Sequence, residues 1–187
     1  MASEKKRLDS AVGTIANSAG LKDPIVSSHH LVSERCAELS ELEYALIMTS
    51  NAFNKWMVRC MTAAGEPGMG PLDVSLLHHI NHRDRQKKLA DICFVLNVED
   101  THIVAYALKK MVKSGYVKSE KQGKELYFSA TDKGKVLCAK YREVRETCLI
   151  GLQVETGISA KSIGENAQLL RAISALYDNA ARTAASL

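Results

Sequence analysis

A chain of 187 residues can bury one good core with segments to spare, and its 46% hydrophobic and 25% charged residues are ordinary for a globular protein. Aromatic residues are only 5%, which favours aliphatic helix packing over a sheet sandwich, and charge interrupts every apolar run well short of a membrane span. The opening Met1-Ala2-Ser3-Glu4-Lys5-Lys6-Arg7 lacks an apolar signal core, so the expected location is the cytoplasm, with no membrane partner.

Net charge is +4, unevenly spread. Between His82 and Arg145 stand fifteen Lys and Arg against eight Asp and Glu, while the remainder carries ten against thirteen. The whole positive excess therefore falls in one segment, the distribution expected of a surface that neutralises phosphates. The bland alternative is a set of lysines that merely solvate an exposed face.

Residues 1–38 are weakly patterned, with Gly13, Gly20, Pro24 and Ser27-Ser28-His29-His30, and read as an N-terminal arm. From Ser40 to Met61 the pattern is strongly helical: Leu42, Ala45, Met48, Ala52, Phe53, Trp56, Met57 and Cys60 recur at steps of three and four. This long helix belongs to a region bounded at 39–66. Ala63-Ala64-Gly65-Glu66-Pro67-Gly68-Met69-Gly70 breaks it. Pro71 then suits a first helical position, with Leu72, Leu76, Leu77 and Ile80 behind it. Asn81 to Gln86 reads as a polar connector.

The informative stretch is Leu89 to Thr131. Leu89, Ile92, Cys93 and Leu96 mark a short helix, which Asn97 and Val98 interrupt. Asp100 can cap a second helix by accepting from free amides of its first turn. There Val104, Ala107, Leu108 and Met111 form the apolar stripe, and Gly115 suits the residue just past the end. Val117 and Lys118 then alternate. Glu120-Lys121-Gln122-Gly123-Lys124 makes a polar tip, and Leu126 and Phe128 resume an every-other-residue apolar face. Two short helices joined by a turn and followed by a β-hairpin make a helix-turn-helix with a wing, here bounded at 70–131.

Several residues in this stretch carry a resemblance: Leu89-Ala90-Asp91 and Leu96 in the first helix, Lys110-Met111 with Gly115-Tyr116-Val117 closing the second, and Thr131-Asp132-Lys133-Gly134 after the wing. Leu72 to Gly134 resembles the winged-helix domain of the MarR family of bacterial transcription regulators, whose next helix opens on Thr-x-Lys-Gly. The family's wing carries Asp-x-Arg, whereas this tip has lysines and no arginine.

Beyond the wing, Thr131 caps a helix to about Leu152 that bears Leu137, Tyr141, Val144 and Cys148. A break follows around Gly157, and a last helix from about Ser159 carries Ile163, Ala167, Leu170, Ile173, Leu176, Tyr177 and Ala180. Residues 132–187 thus read as C-terminal dimerisation helices. The flanking helices hold more apolar stripe than one winged helix can cover, so they are expected to bury each other across a homodimer. Such a dimer places two recognition helices on successive major-groove faces of a pseudo-palindromic operator. The MarR resemblance implies the same arrangement. The expected fold is therefore mainly α with a small β-hairpin wing, flanked by N- and C-terminal dimerisation helices.

Thr101, His102, Ala105, Tyr106 and Lys109 are expected to face double-stranded DNA. Thr101 and Lys109 suit phosphates, His102 and Tyr106 reach base edges, and Ala105 meets a thymine methyl. Arg85, Lys87 and Lys88 are expected at the first helix where backbone phosphates pass, and Lys121 and Lys124 at the wing tip. The resemblance also implies a small-molecule effector, aromatic or phenolic, held in a crevice that Met48, Phe53, Trp56, Met57 and Met61 would line; plain core is the alternative reading of that stripe.

His78 and His82 are four apart with His79 between them, but no Asp, Glu or Cys completes a motif, and no metal site is expected. Of five cysteines, Cys36 beside Arg35 is the best candidate for a sensor, and Cys60, Cys93, Cys138 and Cys148 lie on apolar faces as expected core. The chain has no Gly-rich phosphate loop, nucleophile elbow or His-Glu-x-x-His motif, so neither catalysis nor a cofactor is expected. The expected function is sequence-specific DNA binding as a transcription regulator, with repression by promoter occupancy. The rival is a winged-helix protein–protein adaptor, favoured by the missing wing arginine and by Glu99 and Asp100, which repel phosphate.

Overall fold

The computed structural model describes residues 26, 29–33 and 35–187, so most of the arm expected over 1–38 lies outside the described residues. The described chain is mainly helical with one small antiparallel sheet, and it divides into two compact units, the first ending at Glu146 and the second spanning Thr147–Leu187.

In the first unit, α1 spans Ala37–Ala63. Only its C-terminal half is committed to the core, through Met57, Cys60 and Met61. Gly65 ends it with a φ of 104°, a conformation that costs glycine little. The next helix, α2, spans Pro71–Asn81, with proline in the first turn where its missing N–H is no loss. Val74, Leu76, Leu77 and Ile80 of α2 are fully buried, each contributing roughly 2 kcal/mol by burial.

Strand β1 (Lys87–Lys88) leads directly into α3 (Leu89–Leu96), which ends at Asn97 in the left-handed region that asparagine tolerates. Helix α4 spans Thr101–Lys113 and buries the expected stripe Val104, Ala107, Leu108 and Met111. Asp100 caps it as expected, its Oδ1 accepting from the amides of His102 at 2.8 Å and Ile103 at 3.4 Å. Strands β2 (Val117–Gln122) and β3 (Glu125–Ala130) form the wing hairpin around Gly123, whose φ is 64°.

The sheet has three strands, not the bare hairpin that alternation alone suggests. Its order is β1-β3-β2, with Lys87 opposite Phe128 and Lys88 opposite Tyr127. A two-residue strand made of lysines has no readable period, and only its partner defines it. Register puts Val117, Ser119 and Lys121 on one face of β2, opposite Ala130, Phe128 and Leu126. That face is buried at the hairpin's base. Leu126, expected to continue the apolar face, is 47% exposed because the hairpin runs out past the body.

Helix α5 (Asp132–Arg145) follows, capped by Thr131: its Oγ1 accepts from the Gly134 amide at 3.1 Å and donates to the Gly115 carbonyl at 2.6 Å. One hydroxyl thereby ties the end of the wing to the end of α4. A π-helical turn at Glu146–Ile150 continues the chain into α6 (Gly151–Glu155), and Gly157 breaks it as expected. The last helix, α7, spans Ala160–Ala184 behind the Ser159 cap. No helix among the described residues is long and apolar enough to cross a membrane.

Candidate nucleic-acid interface

Helix α4 has its core stripe on one side, and the opposite side carries His102, Tyr106, Lys109 and Lys113, all exposed. Tyr106 is 75% exposed, an unusual position for a large ring unless it meets something. Thr101 is exposed in the first turn. Ala105 is half-buried and turned toward the wing, where it helps line a crevice with Leu89, Lys109, Val112, Ser119, Leu126 and Phe128. Sequence reasoning left Lys113 out of the candidate set, although its spacings of four from Lys109 and seven from Tyr106 could have found it.

The lysines sort into those already committed and those that carry no salt bridge among the described residues. Lys121 and Lys124, the wing-tip pair, are exposed and belong to the second group with Lys109 and Lys113. The expectation for Lys87 and Lys88 needs correction. Neither sits on the first helix of the motif; both form β1. The Lys87 Nζ turns inward and donates to the carbonyls of Ile80, His82 and Arg85 at 2.8–3.1 Å. It closes the loop in which Arg83 and Asp84 have φ of 62° and 47°, and burial holds its ammonium below the usual lysine range. Lys88 pairs with Glu125 and lies over the Tyr127 ring at 5.4 Å. The Glu125 bond raises the Lys88 pKa, and the same bond lowers that of Glu125. Arg85 lies in the connector, not on the helix, and is exposed.

The wing is braced from the same connector. The Gln86 side chain donates to Glu120 at 2.8 Å and accepts from the Gln122 amide at 2.7 Å, which fastens β2 to the chain entering β1. The recognition helix is anchored on its other flank. Lys110 Nζ donates to Asp73 Oδ2 at 2.8 Å and to the Gly68 carbonyl at 2.9 Å; the same Asp73 oxygen accepts from the Gly70 amide at 3.0 Å. Asp73 is only 7% exposed, so its charge relies on these donors. Beside them Tyr116 donates to Glu66, and that bond, with burial, pushes the phenol up to about 12. The loop between α1 and α2 is thus locked to both ends of the α4–β2 junction.

Elsewhere the expected sites disperse. Met57 and Met61 are core, Trp56 packs partly against that core, and Met48 and Phe53 are exposed, so these five residues do not line one crevice. Position along α1 explains it: the helix outruns the body it packs on. His78 turns inward, its ring 4.4 Å from that of Tyr141, and its Nε2 has no hydrogen-bond partner. Burial lowers its pKa. His82 is exposed and already extended, with a ψ of 126°, because α2 ends at Asn81 and the four-residue spacing no longer defines one face. No group of His, Cys, Asp and Glu fit to hold a metal occurs among the described residues. Cys36 is exposed just ahead of α1; Cys60, Cys93 and Cys138 are buried, and burial pushes the Cys138 thiol up to about 11. Cys148, expected in the core, is exposed in the π-helical turn, none of whose residues is buried.

Two short helices joined by a turn and followed by a hairpin make a winged helix. Comparison with known proteins agrees: residues 69–134 match the family model described as a winged helix DNA-binding domain. The fold is similar to those of several solved structures. The structure of AbfR of Staphylococcus epidermidis is similar at a TM-score of 0.63 and 18% identity, over 78% of this chain and 97% of that one. A structure of reduced AbfR bound to DNA has a TM-score of 0.61 at 18% identity, over 76% and 96% of the two chains. CouR from Rhodococcus jostii RHA1, bound to p-coumaroyl-CoA, has a TM-score of 0.58 at 11% identity, over 72% and 92%. No curated protein is significantly similar to the chain in sequence.

Proposed function

We propose that the protein is a cytoplasmic bacterial transcription regulator that binds a pseudo-palindromic site on double-stranded DNA as a homodimer and acts by occupying the promoter. The observation that carries this reading is the uncommitted face of α4. His102, Tyr106, Lys109 and Lys113 stand exposed on it, next to a wing whose Lys121 and Lys124 form no salt bridge among the described residues. His102 and Tyr106 address base edges in the major groove, while the lysines and Thr101 address phosphates. Arg85 reaches the backbone from the connector. Lys87 and Lys88 leave the list of phosphate contacts, since their charges are spent on the chain itself.

The dimer is supported by apolar surface that the chain does not cover. Ile47, Met48 and Phe53 are exposed on α1, and Ile163, Leu169, Leu170 and Leu176 on α7. The DNA-bound AbfR and the ligand-bound CouR share this fold, which makes DNA and a small-molecule effector reasonable partners for this chain as well.

Selection from a pool of random duplexes at two salt concentrations tests the reading. The expected result is a two-fold symmetric site whose affinity falls steeply with salt, because each neutralised phosphate releases counterion. The double variant Lys121→Glu, Lys124→Glu should weaken binding to every sequence, and His102→Ala or Tyr106→Phe should change which sequence is preferred. A protein that neither enriches nor retains DNA at low salt would overturn the reading in favour of an adaptor. Phe94, 86% exposed on α3, is the observation that an adaptor would use.

A further inference from the structure

We propose that the outward face of α3 docks on RNA polymerase held at the neighbouring promoter, through a cationic surface with an apolar socket, so that the two proteins bind DNA cooperatively; such a contact rests on the DNA-binding reading above. Helix α3 buries Ile92 and Cys93 and packs Leu89 and Leu96 partly against the same core. Its other side is apolar too. Phe94 is 86% exposed and Val95 60% exposed. Ala90, four residues before Phe94, is exposed and too small to shield the ring. An aromatic ring beside a branched aliphatic side chain, both turned outward, has the composition of an interface centre.

The charges around the ring choose the partner. Leu89 to Asp100 holds three acidic residues and no Lys, Arg or His, inside the segment from His82 to Arg145 that carries the chain's whole positive excess. Asp91 lies three positions before Phe94 and four before Val95, the spacing that sets side chains side by side on a helix. Asp91 and Glu99 are exposed and form no salt bridge among the described residues. Asp100, by contrast, is committed to the α4 cap. Free carboxylates beside an apolar ring repel phosphate, so this face is unsuited to DNA. A two-fold pairing with the same face of a second copy would bring two acidic rims together. A cationic rim around an apolar socket fits both the ring and its carboxylates.

Size decides where that partner stands. One ring, one valine and an ion pair or two fall far short of the roughly 1,600 Å² of a stable interface. So small a contact works only when something else holds the partner close, because tethering supplies a high effective concentration. For a regulator the shared DNA is that tether. Four residues, 97–100, separate α3 from α4, which keeps this face beside the duplex that α4 reads. Proteins that grip duplex DNA carry cationic flanks, and the one that every promoter brings alongside is RNA polymerase. The coupling is reciprocal: whichever protein is bound first tightens the binding of the other.

A duplex with the selected operator upstream of a promoter, the spacing varied in single base pairs over one helical turn, reads the contact. The full chain and purified bacterial RNA polymerase holoenzyme are the two proteins used. Operator affinity is measured first, without polymerase; Phe94→Ala and Asp91→Asn should each stay within about twofold of the unaltered chain, as exposed positions away from the DNA face. At the best spacing the unaltered chain should tighten polymerase binding about tenfold, an ordinary size for coupling between two sites. Phe94→Ala should remove that gain, and Asp91→Asn should reduce it about threefold, the weight of one exposed ion pair. A gain that survives both changes, or no gain at any spacing, overturns the contact. So does a Phe94→Ala variant that loses cooperative filling of two adjacent operators without polymerase, since that assigns the face to a second copy. A chain that binds no duplex fails the DNA-binding reading and takes the contact with it, an outcome visible before polymerase is added.

Discussion

The winged-helix body and the last helix both carry apolar faces, and the chain treats them oppositely. In the body Val74, Leu76, Leu77, Ile80, Val104 and Leu108 are all within 1% of complete burial, and Lys110, Thr131 and Gln86 stitch the elements around them with side-chain hydrogen bonds. Helix α7 is 25 residues long and buries none of them. A helix owes most of its stability in water to the packing of its apolar face, and in the proposed dimer a second chain supplies that packing. The body closes on itself, whereas the end helix leaves its apolar residues exposed.

Leucine deletions probe that contrast most strongly. Leu108→Ala should cost about 3 kcal/mol in urea unfolding, since it removes a fully buried side chain and leaves a cavity. In α7, Leu170→Asp with Leu176→Asp should leave the far-UV melt of the body within error while sedimentation shifts from dimer to monomer. A monomer already present in the unaltered chain would break the comparison. Gly134→Ala comes next. Its new Cβ would stand 2.2 Å from the Tyr116 carbonyl oxygen, so α5 must shift away from the base of the wing, and the expected loss is about 2 kcal/mol. Wild-type stability in that variant would mean that this close approach is not made in solution.

Lys110→Met should cost about 1 kcal/mol, because Asp73 keeps its Gly70 donor but loses the ammonium. DNA affinity should fall further than stability, as the flank of the recognition helix comes loose. Equal affinity in the variant would show that the anchor is structural only. The smallest effect concerns His78. Its folded pKa lies below the ordinary 6.5, so the folded state resists a proton that the unfolded state accepts. Stability from this group is complete above pH 6.5 and is lost as pH falls through 6.5 toward the depressed value. His78→Phe should flatten that slope in chemical denaturation between pH 7 and 5, and an unchanged slope would assign it to another group, such as His79.

Most of the fold was legible because its signals are local. The Val104–Met111 stripe, the Asp100 and Thr131 caps, the hairpin about Gly123 and the break at Gly157 each follow from a few neighbouring residues whose period or backbone conformation has one cheap solution. Which side chains of α4 point outward likewise follows from helical spacing alone.

The destinations of individual charges lay beyond the sequence, because a lysine's position on an element says nothing about what its long side chain reaches. Lys87 and Lys88 look like phosphate ligands in a row of basic residues, and in the fold they hold a loop and a strand partner, while Lys110 holds a buried carboxylate. The same limit explains Met57 and Met61. A methionine stripe marks an apolar face, but whether that face meets core or a crevice depends on where along α1 the body ends. Local periodicity determined the elements and their outward faces. Tertiary packing alone decided which of those outward charges are still free to bind, since contacts between Lys110 and Asp73, or Gln86 and Glu120, join residues more than thirty positions apart.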